Sequence, residues 1–198
     1  LRRYQGKEIE INTVYRFLDK LSGKLKLKVE QIAFAYTLEV LGGNINVVFY
    51  DLTTLYFETS EEDDLRKMGF SKDGKHQCPQ IYLGLLVGLG GYAIGYDIFE
   101  GNIYEGHTLI PFLEEMNRKF HLNKPVVIAD AGLLSKENIK ALESNEYEYI
   151  LGARVKNENE RIKEKILAIE FTDGMTVSIK KSDNTRLIVN YSTARAKK

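Results

Sequence analysis

The sequence has 198 residues, 43% of them hydrophobic and 11% aromatic, and its formal net charge is zero. A chain of this length and composition can bury a core and suits one domain with appendages. Zero net charge argues against a protein whose whole surface binds DNA by neutralising phosphates. The single cysteine, Cys78, excludes an internal disulfide framework, no apolar stretch is long and charge-free enough for a membrane span, and a reducing cytoplasm fits best.

Charge is unevenly distributed along the chain. Residues 1–50 carry 8 Lys and Arg against 5 Asp and Glu, residues 51–155 carry 10 against 17, and residues 156–198 carry 10 against 6. An acidic centre between basic ends is expected if a cation site lies in the middle and a polyanion is held from the sides. An unevenly charged solvated surface explains the same distribution, so both interpretations stay open.

The first 44 residues are expected to form an N-terminal helical segment. Apolar residues recur near helical spacing over residues 9–20 and 29–41, and Gly42 with Gly43 ends the second helix. The N-terminus shows neither an initiator Met nor an apolar signal core, so we expect a fragment with no visible targeting segment.

Residues 45–155 alternate between β-rich and helical patterns. In chain order these patterns predict strands over 46–57, 81–89 and 92–99, a helix over 108–122, a strand over 126–130, a helix after Ser135 and a strand over 149–155. Gly90 and Gly91 suit a tight hairpin turn, and Thr108 and Ser135 suit helix N-caps. The order β-β-β-α-β-α-β predicts an α/β core with a hairpin-led sheet and later crossover helices.

The last part of the chain, residues 156–198, is expected to be a helix followed by an incomplete β-rich region. Residues 157–168 are highly charged and helical in pattern, whereas residues 175–181 and 186–191 alternate like the strands of a hairpin. No repeat or low-complexity linker divides the chain.

Two aspartates are the strongest candidates for chemistry, because Asp51 and Asp130 each follow an apolar strand. If the two strands are neighbours, their carboxylates converge at one edge of the sheet. Converging carboxylates bind Mg²⁺ or Mn²⁺ through oxygen, and two such ions about 4 Å apart catalyse phosphoryl transfer. An aspartate at a strand end is also a common turn former or helix cap, so spacing alone leaves a structural role open.

Four sequence blocks resemble, in the correct order, those of bacterial insertion-sequence DDE transposases. The blocks are YDLTTLYFE over 50–58, GFSKDGK over 69–75 with PQ at 79–80, FEGN over 99–102 and VIADAGL over 127–133. The resemblance covers about residues 45–198, and the basic end, residues 191–198, is similar to the segment that follows the family's β-rich insertion.

This resemblance implies a ribonuclease-H-like mixed sheet with flanking helices over residues 45–155, followed by a β-rich insertion. It implies that Asp51 and Asp130 are catalytic metal ligands and that two Mg²⁺ or Mn²⁺ ions serve the active complex. The implied reaction is metal-dependent cleavage of the transposon end, after which the freed 3′-hydroxyl attacks target DNA. The implied partners are the transposon-end DNA, the target DNA and a second copy of the chain, which forms a homodimer on DNA. The implied location is the cytoplasm, at the nucleoid when the protein acts, and no membrane is involved.

The family's third acidic residue is a glutamate on a helix beyond the insertion, within a Tyr, Arg, Glu and Lys motif. No such motif precedes Lys198, and Glu158, Glu160, Glu164 and Glu170 suit a charged solvated helix. We therefore expect this chain to be incomplete as an enzyme. Two alternatives stay open: another ribonuclease-H-like nuclease that only hydrolyses DNA, and an inactive transposase remnant that binds DNA or a protein.

Further residues are candidates for DNA contact. Asn102, Glu105 and His107 lie in the loop after the third predicted strand, where the family has a Gly-Asn motif near the active-site edge. The basic candidates are Arg154, Lys156, Lys180, Lys181, Arg195, Lys197 and Lys198, since such side chains neutralise phosphates without reading sequence. Loop stabilisation and surface solubility explain the same residues. His76, His107 and His121 lack the spacing of zinc ligands.

Overall fold

A computed structural model describes residues 3–4, 6–71 and 74–197. The chain forms two compact units, Leu1–Leu151 and Gly152–Lys198. The expected three-part division, with boundaries after residues 44 and 155, stays a prediction. Among the described residues, no helix is long and apolar enough to cross a membrane.

The first unit begins with a short antiparallel pair and two helices. Strands β1 (Arg3–Tyr4) and β2 (Lys7–Glu8) precede helix α1 (Ile11–Lys20), a π-helical turn (Leu21–Leu25) and helix α2 (Lys26–Val40). Both helices fall where the apolar periodicity predicts them. Helix α1 has no buried residue, whereas α2 joins the core, where Phe34 stacks on Phe120 with ring centroids 4.4 Å apart.

A mixed five-stranded sheet forms the centre of this unit, in the order β5-β4-β3-β6-β7. Its strands and flanking helices are β3 (Val47–Tyr56), β4 (Gln80–Val87), β5 (Ala93–Glu100), α3 (Leu109–Phe120), β6 (Val126–Ala129), α4 (Lys136–Ser144) and β7 (Tyr149–Leu151). Strands β3, β4 and β5 pair antiparallel, whereas β6 pairs parallel with both β3 and β7. The predicted ribonuclease-H-like arrangement of a mixed sheet with flanking helices is confirmed.

The main hydrophobic core lies between this sheet and helix α3. Side chains alternate between the two faces of a strand, and in β3 Val48 and Tyr50 are buried while Phe49 and Asp51 are exposed. The Tyr50 ring stacks on Phe112 of α3, with ring centroids 4.7 Å apart. Asp51 therefore belongs to the sheet face opposite the one that this core covers.

Two local expectations differ from the structure. Strand β7 ends at Leu151 rather than at residue 155, because its registered neighbour β6 ends at Ala129, the partner of Leu151. Thr108 precedes α3, but its hydroxyl makes no capping hydrogen bond to the helix. That hydroxyl is instead hydrogen-bonded to Tyr50 and Glu105. Ser135 caps α4 as predicted, since its hydroxyl accepts a hydrogen bond from the Asn138 amide.

The second unit is a small helix and hairpin cluster. It contains a 3₁₀ turn (Val155–Asn157), helix α5 (Glu160–Leu167), strands β8 (Thr176–Lys180) and β9 (Arg186–Asn190), and helix α6 (Thr193–Ala196). The two strands pair antiparallel, as their alternating pattern predicts. Ile162, Ile179 and Leu187 form its buried core.

Candidate functional site

The two predicted site aspartates lie at the same level of two neighbouring strands, Asp51 within β3 and Asp130 directly after β6. Strands β3 and β6 run parallel, and their last registered pair is Tyr50 with Ala129. Asp51 and Asp130 are the residues directly after this pair, and both are exposed. The strands are therefore neighbours, which is the condition on which the predicted convergence of the two carboxylates depends.

Each aspartate is oriented by a backbone amide. The Leu52 amide donates to Asp51 Oδ1 over 2.9 Å, and the Gly132 amide donates to Asp130 Oδ1 over 2.8 Å. One such bond occupies only part of the acceptor capacity of an ionised carboxylate, which has about four lone-pair positions. Both groups therefore keep oxygen lone pairs for a further partner.

Beside Asp51, the buried residue Tyr50 connects β3 to the loop that follows β5. The Tyr50 hydroxyl donates to Thr108 Oγ1 over 2.9 Å, and the Thr108 hydroxyl donates to the Glu105 carbonyl over 2.8 Å. Burial raises the pKa of the Tyr50 phenol well above its usual range, against the smaller lowering by its bond to Thr108. The phenol thus remains a neutral donor, and this chain fixes the loop against the strand that carries Asp51.

A second buried side chain, Asn138, holds the same loop against the segment after Asp130. Its Nδ2 donates to the carbonyls of Gly106, over 2.7 Å, and Leu133, over 2.8 Å. Sequence reasoning missed this residue. The available signal was a polar side chain four residues before Leu142 on the buried side of α4, where both are buried.

The loop after β5 also brings a third carboxylate, that of Glu105, close to Asp130. A Cβ built on Gly132 lies 3.0 Å from Asp130 Oδ1 and 3.3 Å from Glu105 Oε2. Both carboxylates therefore lie within 3.3 Å of one point. The sequence places Glu105 in this loop together with Asn102 and His107, but it does not predict that Glu105 lies near Asp130.

The other predicted contact residues are dispersed. Asn102 is exposed in the turn after β5, and exposed His107 packs edge-on against Tyr104, with ring centroids 5.2 Å apart. Six basic candidates lie exposed in the second unit: Arg154, Lys156, Lys180, Lys181, Arg195 and Lys197. Lys180 pairs with Asp183 at 2.8 Å and Lys181 with Glu158 at 2.7 Å. Lys198 lies outside the described residues.

The sheet face that carries Asp51 is largely apolar and open. Phe49, Leu55, Leu85 and Ile98 lie on this face by strand alternation and register, and between 37% and 42% of each side chain is exposed. Exposed apolar side chains in a contiguous patch mark a surface that packs against another segment or molecule. The open face directly adjoins the first candidate carboxylate.

The donor chemistry at this edge suits a hard divalent cation, because Asp51, Asp130 and Glu105 offer carboxylate oxygen alone. Among residues 3–4, 6–71 and 74–197, however, no three His, Cys, Asp or Glu side chains form a cluster ready to hold a metal ion. Asp51 and Asp130 stay the cation ligands that the sequence predicts.

Comparison with known proteins gives one family and several distant structures. Residues 42–197 match the model of the transposase DDE domain, while no curated protein matches this chain significantly. The piggyBac transposase synaptic complex with hairpin DNA is 13% identical, with a TM-score of 0.44 over 70% of this chain and 29% of that chain. The Mos1 transposase paired-end complex with left transposon end is 11% identical, with a TM-score of 0.38 over 86% of this chain and 59% of that one. The Mos1 mariner paired-end complex with Mn is 14% identical, with a TM-score of 0.34 over 75% of this chain and 45% of that chain.

This chain matches at most 59% of the length of these three transposase chains. The family model, by contrast, covers the whole five-stranded sheet, both candidate aspartates and the second unit up to residue 197. The chain therefore belongs to the transposase DDE domain family.

Proposed function

We propose that this chain is the catalytic core of a DNA transposase in which Asp51 and Asp130 together hold the divalent cations for DNA cleavage and strand transfer. The observation that carries the proposal is the parallel register of β3 and β6, since Asp51 and Asp130 each come one residue after its last registered pair. Membership of the transposase DDE domain family supports the reaction class.

In this proposal the two aspartates bind and orient. Both are exposed, Asp51 lies within β3 and Asp130 directly follows β6, and one backbone amide already orients each carboxylate. Bound Mg²⁺ or Mn²⁺ supplies Lewis-acid activation of the attacking hydroxyl and stabilisation of the leaving oxygen of a phosphodiester. The buried chain from Tyr50 through Thr108 keeps the adjoining loop in place, which limits the reorganisation needed when DNA binds.

The substrates in this proposal are transposon ends and target DNA, bound by a homodimer. The exposed basic residues of the second unit support contact with phosphates. Arg154, Lys156, Arg195 and Lys197 are the stronger candidates. Lys180 and Lys181 already pair with carboxylates, and DNA phosphates must compete with those carboxylates for the two ammonium groups.

We further infer that one more acidic group, of the kind the DDE family supplies from a later helix, completes the site. The open apolar face beside Asp51 supports this inference, since Phe49, Leu55 and Leu85 offer a packing surface for such a segment. Until that group is in place, we expect the two aspartates to bind a cation weakly and catalysis to be absent.

Calorimetric titration of Mn²⁺ into the chain tests the proposal. We expect saturable binding that is lost in Asp51→Asn and in Asp130→Asn. The matched control is Asp97→Asn, because Asp97 lies on the same sheet at the register position of Gly84, on the covered face. Equal binding in all four proteins, or none in any, contradicts a shared cation site and favours an inert remnant. If binding behaves as expected, strand joining with pre-nicked DNA ends separates a transposase from a purely hydrolytic nuclease.

A further inference from the structure

Helix α2 is held against the rest of the first unit along one side. Its buried residues are Glu30 and Thr37. The Thr37 hydroxyl donates to the Ala93 carbonyl of β5 over 2.6 Å, and Glu30 Oε2 lies 3.3 Å from Lys119 Nζ of α3. Because these contacts fix α2 to β5 and α3, the opposite side of the helix faces away from the core.

That opposite side carries a stripe of apolar residues. Side chains three and four residues apart lie on the same face of a helix. Five apolar side chains follow each other at these intervals, and between 40% and 62% of each is exposed. We call them the α2 stripe: Leu25, Val29, Ile32, Tyr36 and Val40. Intervals of three and four residues along a narrow stripe are the pattern by which one helix packs along another.

Helix α1 enlarges this exposed apolar surface. It has no buried residue, and a helix of this length is marginal in water unless it packs against a partner. Together, the residues of Ile11–Val40 include ten large apolar side chains that are at least 40% exposed. At roughly 80 Å² for each, about half of a large side chain, they offer close to the area of about 800 Å² per partner in a standard interface.

Two charged residues beside the α2 stripe favour an antiparallel helix pair. Lys28 and Glu39 are both exposed, four residues before Ile32 and seven residues after it. An antiparallel pair related by a two-fold axis near Ile32 brings Lys28 of each copy opposite Glu39 of the other. A parallel pair in register keeps these residues about 16 Å apart along the axis. Charged residues at the flanks of such a pair set the orientation of the partner.

We propose that two copies of this chain associate through their α2 stripes, antiparallel across a two-fold axis near Ile32. Such a contact is isologous, because the same surface serves both copies. Among helices α3 to α6, as the structure describes them, Leu167 alone is a largely exposed apolar residue, so a second copy supplies the matching stripe. The proposal rests on the homodimer of the proposed function and names its surface.

Sedimentation equilibrium of the whole chain tests the surface. We expect the wild type to dimerise reversibly and Ile32→Asp to be monomeric, because two carboxylates then meet at the centre of the contact. The matched control is Leu167→Asp, since Leu167 is 84% exposed and lies in the second unit. Its dimer affinity is expected to equal that of the wild type.

A charge exchange tests the antiparallel arrangement. Lys28→Glu and Glu39→Lys should each weaken the dimer about tenfold, because two exposed ion pairs per dimer become repulsions. The double variant, Lys28→Glu with Glu39→Lys, should regain an affinity close to that of the wild type. Equal affinity in all four proteins contradicts the antiparallel pairing.

Urea unfolding and Mn²⁺ titration separate this proposal from the cation site. Ile32 is 62% exposed, so monomeric Ile32→Asp should keep the stability of the wild-type monomer and its Mn²⁺ affinity. A wild type that is monomeric at every concentration, or a dimer that survives Ile32→Asp, overturns the proposed surface, and intact Mn²⁺ binding then leaves the cation site standing. Absence of Mn²⁺ binding in a chain that dimerises as described overturns the cation site alone.

Discussion

Asp51 and Asp130 occupy equivalent positions on two neighbouring parallel strands, each one residue beyond the last registered pair of β3 and β6. The two residues are far apart in the sequence, and only the pairing of these strands brings them together. A one-residue slip in that pairing turns every side chain of one strand to the other face. The register is therefore as much a part of the site as the carboxylates, and the buried Tyr50, Thr108 and Asn138 network next to it stabilises the same edge.

Removal of the Tyr50 hydroxyl tests the first connection of this network. Tyr50→Phe deletes the bond to Thr108 between two buried residues, so we expect the free energy of unfolding to fall by about 1–2 kcal/mol. Urea denaturation measures the change. Tyr15→Phe is the matched control, because 59% of Tyr15 is exposed. We expect this variant to change the free energy of unfolding by no more than about 0.5 kcal/mol. Equal effects in the two variants contradict a structural role for the Tyr50 hydroxyl.

The raised pKa of Tyr50 also predicts how stability changes at alkaline pH. Burial disfavours the phenolate in the folded chain, whereas the unfolded phenol ionises near its ordinary pKa of about 10. A raised folded pKa gives stability that is present below the unfolded pKa and is lost as pH rises toward the folded one. We therefore expect Tyr50→Phe to lose less stability above pH about 10 than the wild type does. Parallel curves for the two proteins contradict the raised pKa.

Substitution of Asn138 tests the second connection. Asn138→Ala leaves the carbonyls of Gly106 and Leu133 without this donor. We expect the free energy of unfolding to fall by about 2–3 kcal/mol, because buried acceptors are costly to leave unsatisfied. Hydrogen exchange at the Thr108 and Leu133 amides should become faster. Asn145→Ala, which removes one exposed bond to Ala141, is the control. Unchanged exchange in Asn138→Ala excludes Asn138 as the connection between the two loops.

The sequence predicts those parts of the fold that depend on nearby residues. Apolar periodicity places the strands and helices, and the Ser135 cap forms as predicted because its partner, Asn138, is three residues away. Thr108 shows the limit of such reasoning. It stands at the start of α3, but its hydroxyl bonds to Tyr50, 58 residues earlier in the chain.

The same limit applies to the candidate site. An aspartate after an apolar run singles out Asp51 and Asp130, but the adjacency of their strands depends on long-range pairing that periodicity does not determine. The sequence places Glu105 in the loop after the third strand but not near Asp130, and it does not single out Asn138, because both positions matter through loops that are distant in sequence. Their chemistry becomes visible once the loops after β5 and β6 are seen together.

In the second unit, a carboxylate holds the start of the last helix. The Thr193 amide donates to Asp173 over 2.7 Å, and this hydrogen bond holds the pKa of the Asp173 carboxyl below its usual range. Because a lowered folded pKa gives stability that is lost as pH falls through it, we expect the Thr193 amide resonance to shift only at pH values below the ordinary aspartate range. In Asp173→Asn this acid-induced shift should vanish. A shift at the ordinary aspartate pKa contradicts the contact.

The most direct test of the account is paramagnetic broadening by Mn²⁺ in the isotopically labelled chain. If Asp51 and Asp130 hold one shared cation site, substoichiometric Mn²⁺ broadens the amide resonances of residues 50–53 and 130–132 together, and either Asp51→Asn or Asp130→Asn abolishes both effects. Broadening of one segment without the other, or broadening that survives both substitutions, contradicts a shared site at this edge of the sheet.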